Sequence, residues 1–265
     1  MQVDLKGRTA LVTGGSKGLG FESALRLARN GASVAVVARG RQELDAACAA
    51  IREATAANGT AKVVAVTCDV ASASEIENAW RQAREALGPI DILVNNAGGH
   101  ALGSIMEISD EAWQRDLDLK LMAHVRMTRL CWPDMVQRRF GRVINTLNTL
   151  ARAPGAGSAP TSVTRAAQLA LSKVLSKEGA PHGILVNALL VGLIRSDQIT
   201  RYQQEADAGH APDRYSPEIV AQRVPLGRMG EPREFADLVC FLASDAGSYI
   251  TGCAINVDGG MSPVP

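Results

Sequence analysis

The sequence predicts a doubly wound α/β sandwich, one parallel sheet with helices on both faces. Three observations predict it. Seven short, β-branched apolar runs recur along the 265 residues, amphipathic Ala- and Leu-rich segments separate them, and a glycine-rich turn follows the first run. Strands covered on both faces read as continuous apolar runs, and their alternation with helices calls for right-handed crossovers. No linker, repeat or low-complexity tract interrupts the series, so residues 1–265 read as a single domain.

Taken in order, RTALVTGG is the first strand and leads through the glycine turn into the helix FESALRLARNG. ASVAVVAR, RQELDAACAAIREATAANG, KVVAVTCD and SEIENAWRQAREALG follow as strand, helix, strand and helix. IDILVNNAGG, GRVINTLN and GILVNALL continue the sheet, and CAINVDGG closes it as the seventh strand. TSVTRAAQLALSKVLSKEG is an amphipathic helix on which Thr161 and Arg165, four apart, share one face. Glycines in Asn30-Gly31, Asn58-Gly59, Leu87-Gly88 and His182-Gly183 suit left-handed helix ends. Residues 195–223, RSDQITRYQQEADAGHAPDRYSPEIVAQR, are charged, poor in strand signal and inserted between the last two strands. Ligands of open α/β sheets bind beyond the carboxyl ends of the strands, where this insertion emerges, so it is expected to be a substrate lid.

Composition narrows the partners. An apolar fraction of 46% supports a buried core, and 28 basic against 27 acidic residues, scattered along the chain, leave a net charge of +1. That balance argues against nucleic acid or a polybasic membrane surface and leaves a small molecule as the expected partner. No run approaches the ~18 apolar residues of a membrane span, and the N-terminal apolar run is too short for a signal peptide, so a cytoplasmic location is expected. Five cysteines (Cys48, Cys68, Cys131, Cys240, Cys253) lie far apart with no CxxC and no histidine at ligand spacing. Buried reduced thiols are expected, with neither a disulfide framework nor a metal site.

The segment Thr13-Gly14-Gly15-Ser16-Lys17-Gly18-Leu19-Gly20 stands between a strand and a helix. Glycines at 14, 18 and 20 let the chain turn sharply and let the backbone approach a pyrophosphate at the helix N-terminus. Ser16, Lys17 and Leu19 complete the expected cradle. An acid ending the second strand would bind the ribose 2′-hydroxyl of NAD, but the sequence there is Ala38-Arg39-Gly40-Arg41. Arg39 and Lys17 favour a 2′-phosphate instead, hence NADP(H) over NAD(H).

Over nearly its whole length the sequence resembles the short-chain dehydrogenase/reductase family. TGGSKGLG, Cys68-Asp69-Val70, Asn95-Asn96-Ala97-Gly98, Val186-Asn187 and RMGEPREFADLVCFLASDAGSYITGCAINVDGG carry the resemblance. It implies a Rossmann-type sheet of seven strands and an oxidoreductase of carbonyl and alcohol groups. It further implies that Asp69 and Val70 flank the adenine, that Asn95, Ala97 and Gly98 line the ribose and support the sheet, and that Ile194 and Ser196 lie near the nicotinamide carboxamide. Val191-Gly192 replaces the usual Pro-Gly. A homo-oligomer, dimer or tetramer, is implied through the long helices LDLKLMAHVRMTRLCWPDMVQRR and TSVTRAAQLALSKVLSKEG.

At the reacting end the pattern departs from the family, whose proton transfer uses a Tyr, a Lys four residues on, a Ser and an Asn. Counting along the matching segments puts Lys120 at the Asn position, Asn148 at the Ser, Thr161 at the Tyr and Arg165 at the Lys. The tyrosines, Tyr202, Tyr215 and Tyr249, lie elsewhere. An aliphatic hydroxyl has a pKa well above the ~10 of a phenol, so Thr161 is expected to donate a hydrogen bond or fill space. Arg165 can fork onto ribose hydroxyls but, with a pKa beyond ~12, shuttles no proton. Asn148 could hold an oxyanion. Lys120 is either an ammonium near the ribose or a surface lysine. His100, just past the NNAGG segment, suits acid/base work at neutral pH, or is an incidental surface residue. Arg152 binds an acidic substrate or is solvated. Three functions share this pattern: an NADP(H)-dependent oxidoreductase with a replaced catalytic set, an NADP(H)-binding sensor without turnover, and a non-redox enzyme of lyase or dehydratase type.

Overall fold

The computed structural model describes residues 3–56, 61–210, 213 and 215–265, apart from the side chain of Gln198. The seven expected runs form strands β1 (Thr9–Thr13), β2 (Ser33–Ala38), β3 (Val63–Thr67), β4 (Ile92–Asn95), β6 (Gly141–Asn148), β8 (Ile184–Val191) and β9 (Ala254–Val257). They build one parallel sheet in the order β3-β2-β1-β4-β6-β8-β9. Side chains alternate across it, so Ala10, Val12, Val34 and Val36 face one layer while Leu11, Ala35 and Val37 face the other. The first layer is closed by α1 (Gly18–Arg29), α2 (Arg41–Thr55) and α9 (Pro232–Ala243), which contribute Leu27, Leu44 and Phe235. The second is closed by α3 (Ala73–Leu87) and α5 (Ala123–Arg138), with Ile76 and Met127. Each such side chain contributes about 1.5–3 kcal/mol on leaving water.

β1 runs outward to β2 and β3, whereas β4 returns on the other side of β1, so a crevice opens at the carboxyl ends of β1 and β4. The candidate site lies there. A polar chain crosses the core just below it: Asn95 Nδ2 donates to Asn145 Oδ1 (2.9 Å) and Thr128 Oγ1 (3.3 Å), and Asn145 Nδ2 donates to Ser172 Oγ (2.8 Å). These bonds tie β4, β6, α5 and α6 (Thr161–Gly179) at one level.

Several local expectations are revised. The segment LDLKLMAHVRMTRLCWPDMVQRR is not one α-helix: α4 (Asp110–Asp116) passes into a π-helical stretch, Leu117–Met122, before α5 begins. Leu102–Gly103 (β5) and Ala159–Pro160 (β7) form a short antiparallel pair that no sequence run announced. Gly183 takes the expected left-handed cap, but Gly88 combines φ 86° with ψ −167°, outside that basin. Asn58-Gly59 lies outside the described residues. Four cysteines are buried as expected, while Cys253 is exposed. The 195–223 insertion forms α7 (Asp197–Asp207) and α8 (Pro217–Arg223), between β8 and β9.

Replacing Asn145 by Ala leaves the Asn95 and Ser172 side chains short of a buried partner. The expected cost is about 1–3 kcal/mol of unfolding free energy, read from urea denaturation with an unchanged slope.

Candidate active site

The glycine turn is closed by its neighbours rather than merely permitted by small residues. A Cβ on Gly20 would stand 2.2 Å from Gly14 O and 2.5 Å from Asn96 Nδ2, and one on Gly14, at φ +65°, would stand 2.9 Å from Ala97 Cα. Asn96 Nδ2 donates to the carbonyls of Thr13 (3.0 Å) and Gly14 (3.2 Å), while Thr13 Oγ1 accepts from the N–H groups of Asn96 (2.9 Å) and Ala97 (3.0 Å). The ends of β1 and β4 are thereby laced together. Helix α1 starts immediately after Lys17, which gives it no side-chain cap. Its first N–H groups and positive dipole end are left to an anion. Ser16 and Leu19 are half-buried beside them.

Around this turn the other nucleotide candidates separate. Arg39 is exposed. Lys17 is already shared between two carboxylates, with Nζ 3.8 Å from Glu43 Oε1 and 4.0 Å from Asp197 Oδ2. Asp69 ends the third strand's loop, its carboxylate accepting from the N–H of Ala71 (3.0 Å), and Val70 is buried next to it. Asn95 turns its amide into the core, so of its two expected roles the bracing of the sheet is the one its contacts display. Ile194 is buried and bridges to Gly230, and Ser196 caps α7 by accepting from the N–H of Ile199 (3.3 Å).

Three of the four reacting-end positions come together. Lys120 is fully buried on the π-helical stretch, and its Nζ donates to Asp116 Oδ1 and to Thr161 Oγ1 (2.7 Å). Asp116 Oδ2 accepts from Thr164 Oγ1 (2.6 Å). Thr161 Oγ1 donates to the carbonyl of Ala101 (2.8 Å) and accepts from its N–H (3.0 Å). One proton and two lone pairs are all a hydroxyl has, so Thr161 is saturated. Arg165, four residues on, sends Nη1 to the carbonyl of Thr146 (2.7 Å) and to Gln168 Oε1 (2.9 Å). Its Nη2 lies under Gly98, where a Cβ would be 2.7 Å away. Gln168 Nε2 also donates to the carbonyl of Lys120 (3.0 Å) and meets the ring of His124 (3.0 Å).

Burial dominates the electrostatics of this cluster. It pulls Lys120 down to about 8 against the opposing hydrogen bond that the ammonium donates to Asp116, with Arg165 lowering it further. It takes Arg165 down to about 10, and it holds His124 well below the usual imidazole value and hence neutral. His100 stands exposed at the rim, yet enough protein packs around it for desolvation, followed by the charges of Lys120 and Arg165, to lower its pKa. The fourth position, Asn148, ends β6 with Oδ1 buried and unpartnered. Thr146 Oγ1 and Arg165 Nε are also buried without partners. Arg152 is drawn elsewhere, donating to the main-chain oxygen of Pro265.

Asp116, Thr164, Gln168, His124, Asn96 and Glu43 were not singled out from the sequence. Asp116 stands four residues before Lys120, an ion-pair spacing that would have found it. Gln168 stands three residues after Arg165 on α6 and Asn96 lies within the Asn95-Asn96-Ala97-Gly98 motif, whereas Thr164, His124 and Glu43 meet their partners from distant elements. Among the described residues no cluster of ligating side chains could hold a metal, and no helix is long and apolar enough to cross a membrane.

A parallel sheet with a glycine turn at its switch point and a polar cluster at the start of α6 defines a nucleotide-cleft enzyme of the oxidoreductase kind. The chain belongs to the short-chain dehydrogenase/reductase family: the family model described as Enoyl-(Acyl carrier protein) reductase matches residues 14–262. Human dehydrogenase/reductase SDR family member 4 is 36% identical over 258 residues, covering 97% of this chain and 88% of that protein. The crystal structure of L-sorbose reductase from Gluconobacter frateurii, complexed with NADPH and L-sorbose, matches with a TM-score of 0.93 at 32% identity over 100% of both chains. An NADPH-bound short chain oxidoreductase from Pseudomonas aeruginosa PAO1, described as containing an atypical catalytic center, matches with a TM-score of 0.89 at 35% identity over 99% of both chains.

Removing Asp116 strands a buried ammonium, so Asp116→Ala is expected to lose about 3–5 kcal/mol in urea unfolding, and the paired replacement Asp116→Leu with Lys120→Met considerably less. A pH signature follows from Lys120. Its folded pKa of about 8 lies below the ~10.4 of an unfolded lysine, so over that window the unfolded chain holds a proton the folded chain has released. Stability relative to Lys120→Met should therefore rise as pH increases from about 8 to ~10.4, measured as the difference in urea midpoints.

Proposed function

We propose that the protein is an NADP(H)-dependent oxidoreductase that interconverts a carbonyl and an alcohol on a small molecule, with its proton chemistry moved away from residue 161. The glycine turn carries this reading: a Cβ at Gly14 or Gly20 would strike the backbone, and the bare N-terminus of α1 behind them fits a pyrophosphate. Gly14, Ser16, Lys17, Gly18, Leu19 and Gly20 would hold the phosphates, with Lys17 and Arg39 at the 2′-phosphate. Asp69 and Val70 would flank the adenine, Ala97, Gly98 and Arg165 the nicotinamide ribose over the brace of Asn95, and Ile194 with Ser196 the carboxamide. The NADPH complexes of the two structural relatives support the choice of nucleotide. When bound, the nucleotide supplies the hydride.

The chain's own residues orient and polarise. Arg165, buried beneath Gly98, puts fixed positive potential where a carbonyl oxygen gains charge, and Asn148 at the end of β6 offers an amide to the same oxygen. Thr161, with its hydroxyl filled by Ala101 and Lys120, holds the cluster together and moves no proton. His100 at the rim takes the proton role. Its lowered pKa leaves the imidazole neutral at pH 7, ready to accept a proton in the alcohol-oxidising direction. The insertion 195–223 covers the substrate as a lid, and the exposed Val163 and Val174 on α6 support association of copies through that helix. Ligand binding without turnover is the competing reading, favoured by the saturation of Thr161.

Fluorescence titration with NADPH and NADH, followed by a panel of carbonyls and alcohols, separates the two. Binding with turnover is expected, and binding without turnover on any of them upholds the competing reading. If Thr161 were the acid, Thr161→Val would lower kcat by roughly 10²–10⁴. A loss below about tenfold is expected instead, within the cost of a disturbed hydrogen-bond cluster. The oxidation rate should rise with pH through the lowered His100 value, below 6.5, and level off above it, and His100→Gln should remove that rising limb.

A further inference from the structure

The 2′-phosphate end of the cleft contains an acid as well as cations. Glu43 lies in the first turn of α2, whose N-cap is Gly40 with no side-chain cap. A Cβ on Gly40 would stand 2.3 Å from Glu43 Oε2, so glycine at the cap leaves room for the carboxylate to fold back over the start of the helix. Its other oxygen faces Lys17 across 3.8 Å. Glu43 thus lies at the positive end of α2 and beside the cation of the glycine turn, the two features that would otherwise receive a phosphate from this side. Its side chain is 51% exposed and that of Lys17 55%, so a ligand can reach both.

From this geometry we infer that Glu43 is a specificity-determining residue for the nucleotide: a built-in carboxylate that occupies the place and the cation of a 2′-phosphate and so narrows the preference for NADP(H) over NAD(H). The inference rests on the NADP(H) reading above. A 2′-phosphate must draw Lys17 away from Glu43 or bind with a like charge beside it. The 2′-hydroxyl of NAD(H) is neutral and can donate to the same carboxylate, so one group acts on the two ligands with opposite sign.

The test compares dissociation constants of NADPH and NADH by nicotinamide fluorescence, and of 2′,5′-ADP and 5′-AMP by calorimetry, at 20 mM salt. Glu43→Gln keeps the side chain's size and removes its charge. NADPH and 2′,5′-ADP should tighten roughly five- to tenfold while NADH and 5′-AMP hold or weaken, and the gain should shrink near 0.15 M salt. Glu43→Asp, with the charge drawn back by one methylene, should fall between the two. Asp197→Asn is the control, because Asp197 also faces Lys17 but from α7 rather than from the start of α2. A Glu43→Gln ratio within twofold of the parent overturns the inference, as does an Asp197→Asn shift equally large. If the unaltered protein binds neither dinucleotide, the cofactor reading falls and takes this inference with it. If it binds NADPH and the ratio stays fixed, the role of Glu43 alone is lost.

Discussion

An ammonium held wholly out of water by a single carboxylate sets the terms for the reacting end of this protein. Lys120 has no exposure, and a charge so placed is tolerated only with a close partner and filled hydrogen bonds. Asp116 supplies the charge and Thr161 accepts a further bond, while Thr164 satisfies the second oxygen of Asp116. These contacts join α4, the π-helical stretch and α6. In the π-helical stretch the carbonyl of Lys120 accepts from Gln168, whose other amide atom steers Arg165. Both cations are therefore positioned by protein groups.

The charge balance of the cluster is uneven. Lys120 and Arg165 bring two positive charges, Asp116 brings one negative charge, and His124 is neutral between them. Positive potential accumulates under Gly98 and opposes protonation of His100 above it. A site of this kind favours charge building on an acceptor oxygen more than it favours handing over a proton. The nucleotide end is the reverse case, where the acids Glu43 and Asp197 temper the cation Lys17.

The sheet was legible because each strand is a short apolar run covered on both faces, and Ala10, Leu11 and Val12 alternate between layers as a pleated strand requires. The glycine turn was legible because its spacing is local. The break at Leu117–Met122 was not, since an apolar pattern such as LDLKLM suits an α-helix and a π-turn alike. The β5–β7 pair is two residues long on each side, below any periodic signal. Spacing located Lys120, Thr161 and Arg165 but not how they satisfy one another, because Ala101 reaches Thr161, and Gln168 of α6 reaches the carbonyl of Lys120, across elements. The filling of Lys17 by Glu43 escaped for the same reason: no acid ends β2, yet α2 folds one back to the place.

The clasp of Ala101 on Thr161 bears on how this site could change. The backbone N–H and carbonyl of Ala101 both lie within 3.0 Å of the threonine oxygen, and the side chain has no exposure. An aromatic ring grafted there meets main chain instead of open cleft. Placing a phenol there would thus demand that the Ala101 main chain move aside and that Lys120 find another acceptor beside Asp116. The clasp acts as a ratchet on residue 161, since a larger side chain there needs Ala101 and Lys120 to shift with it.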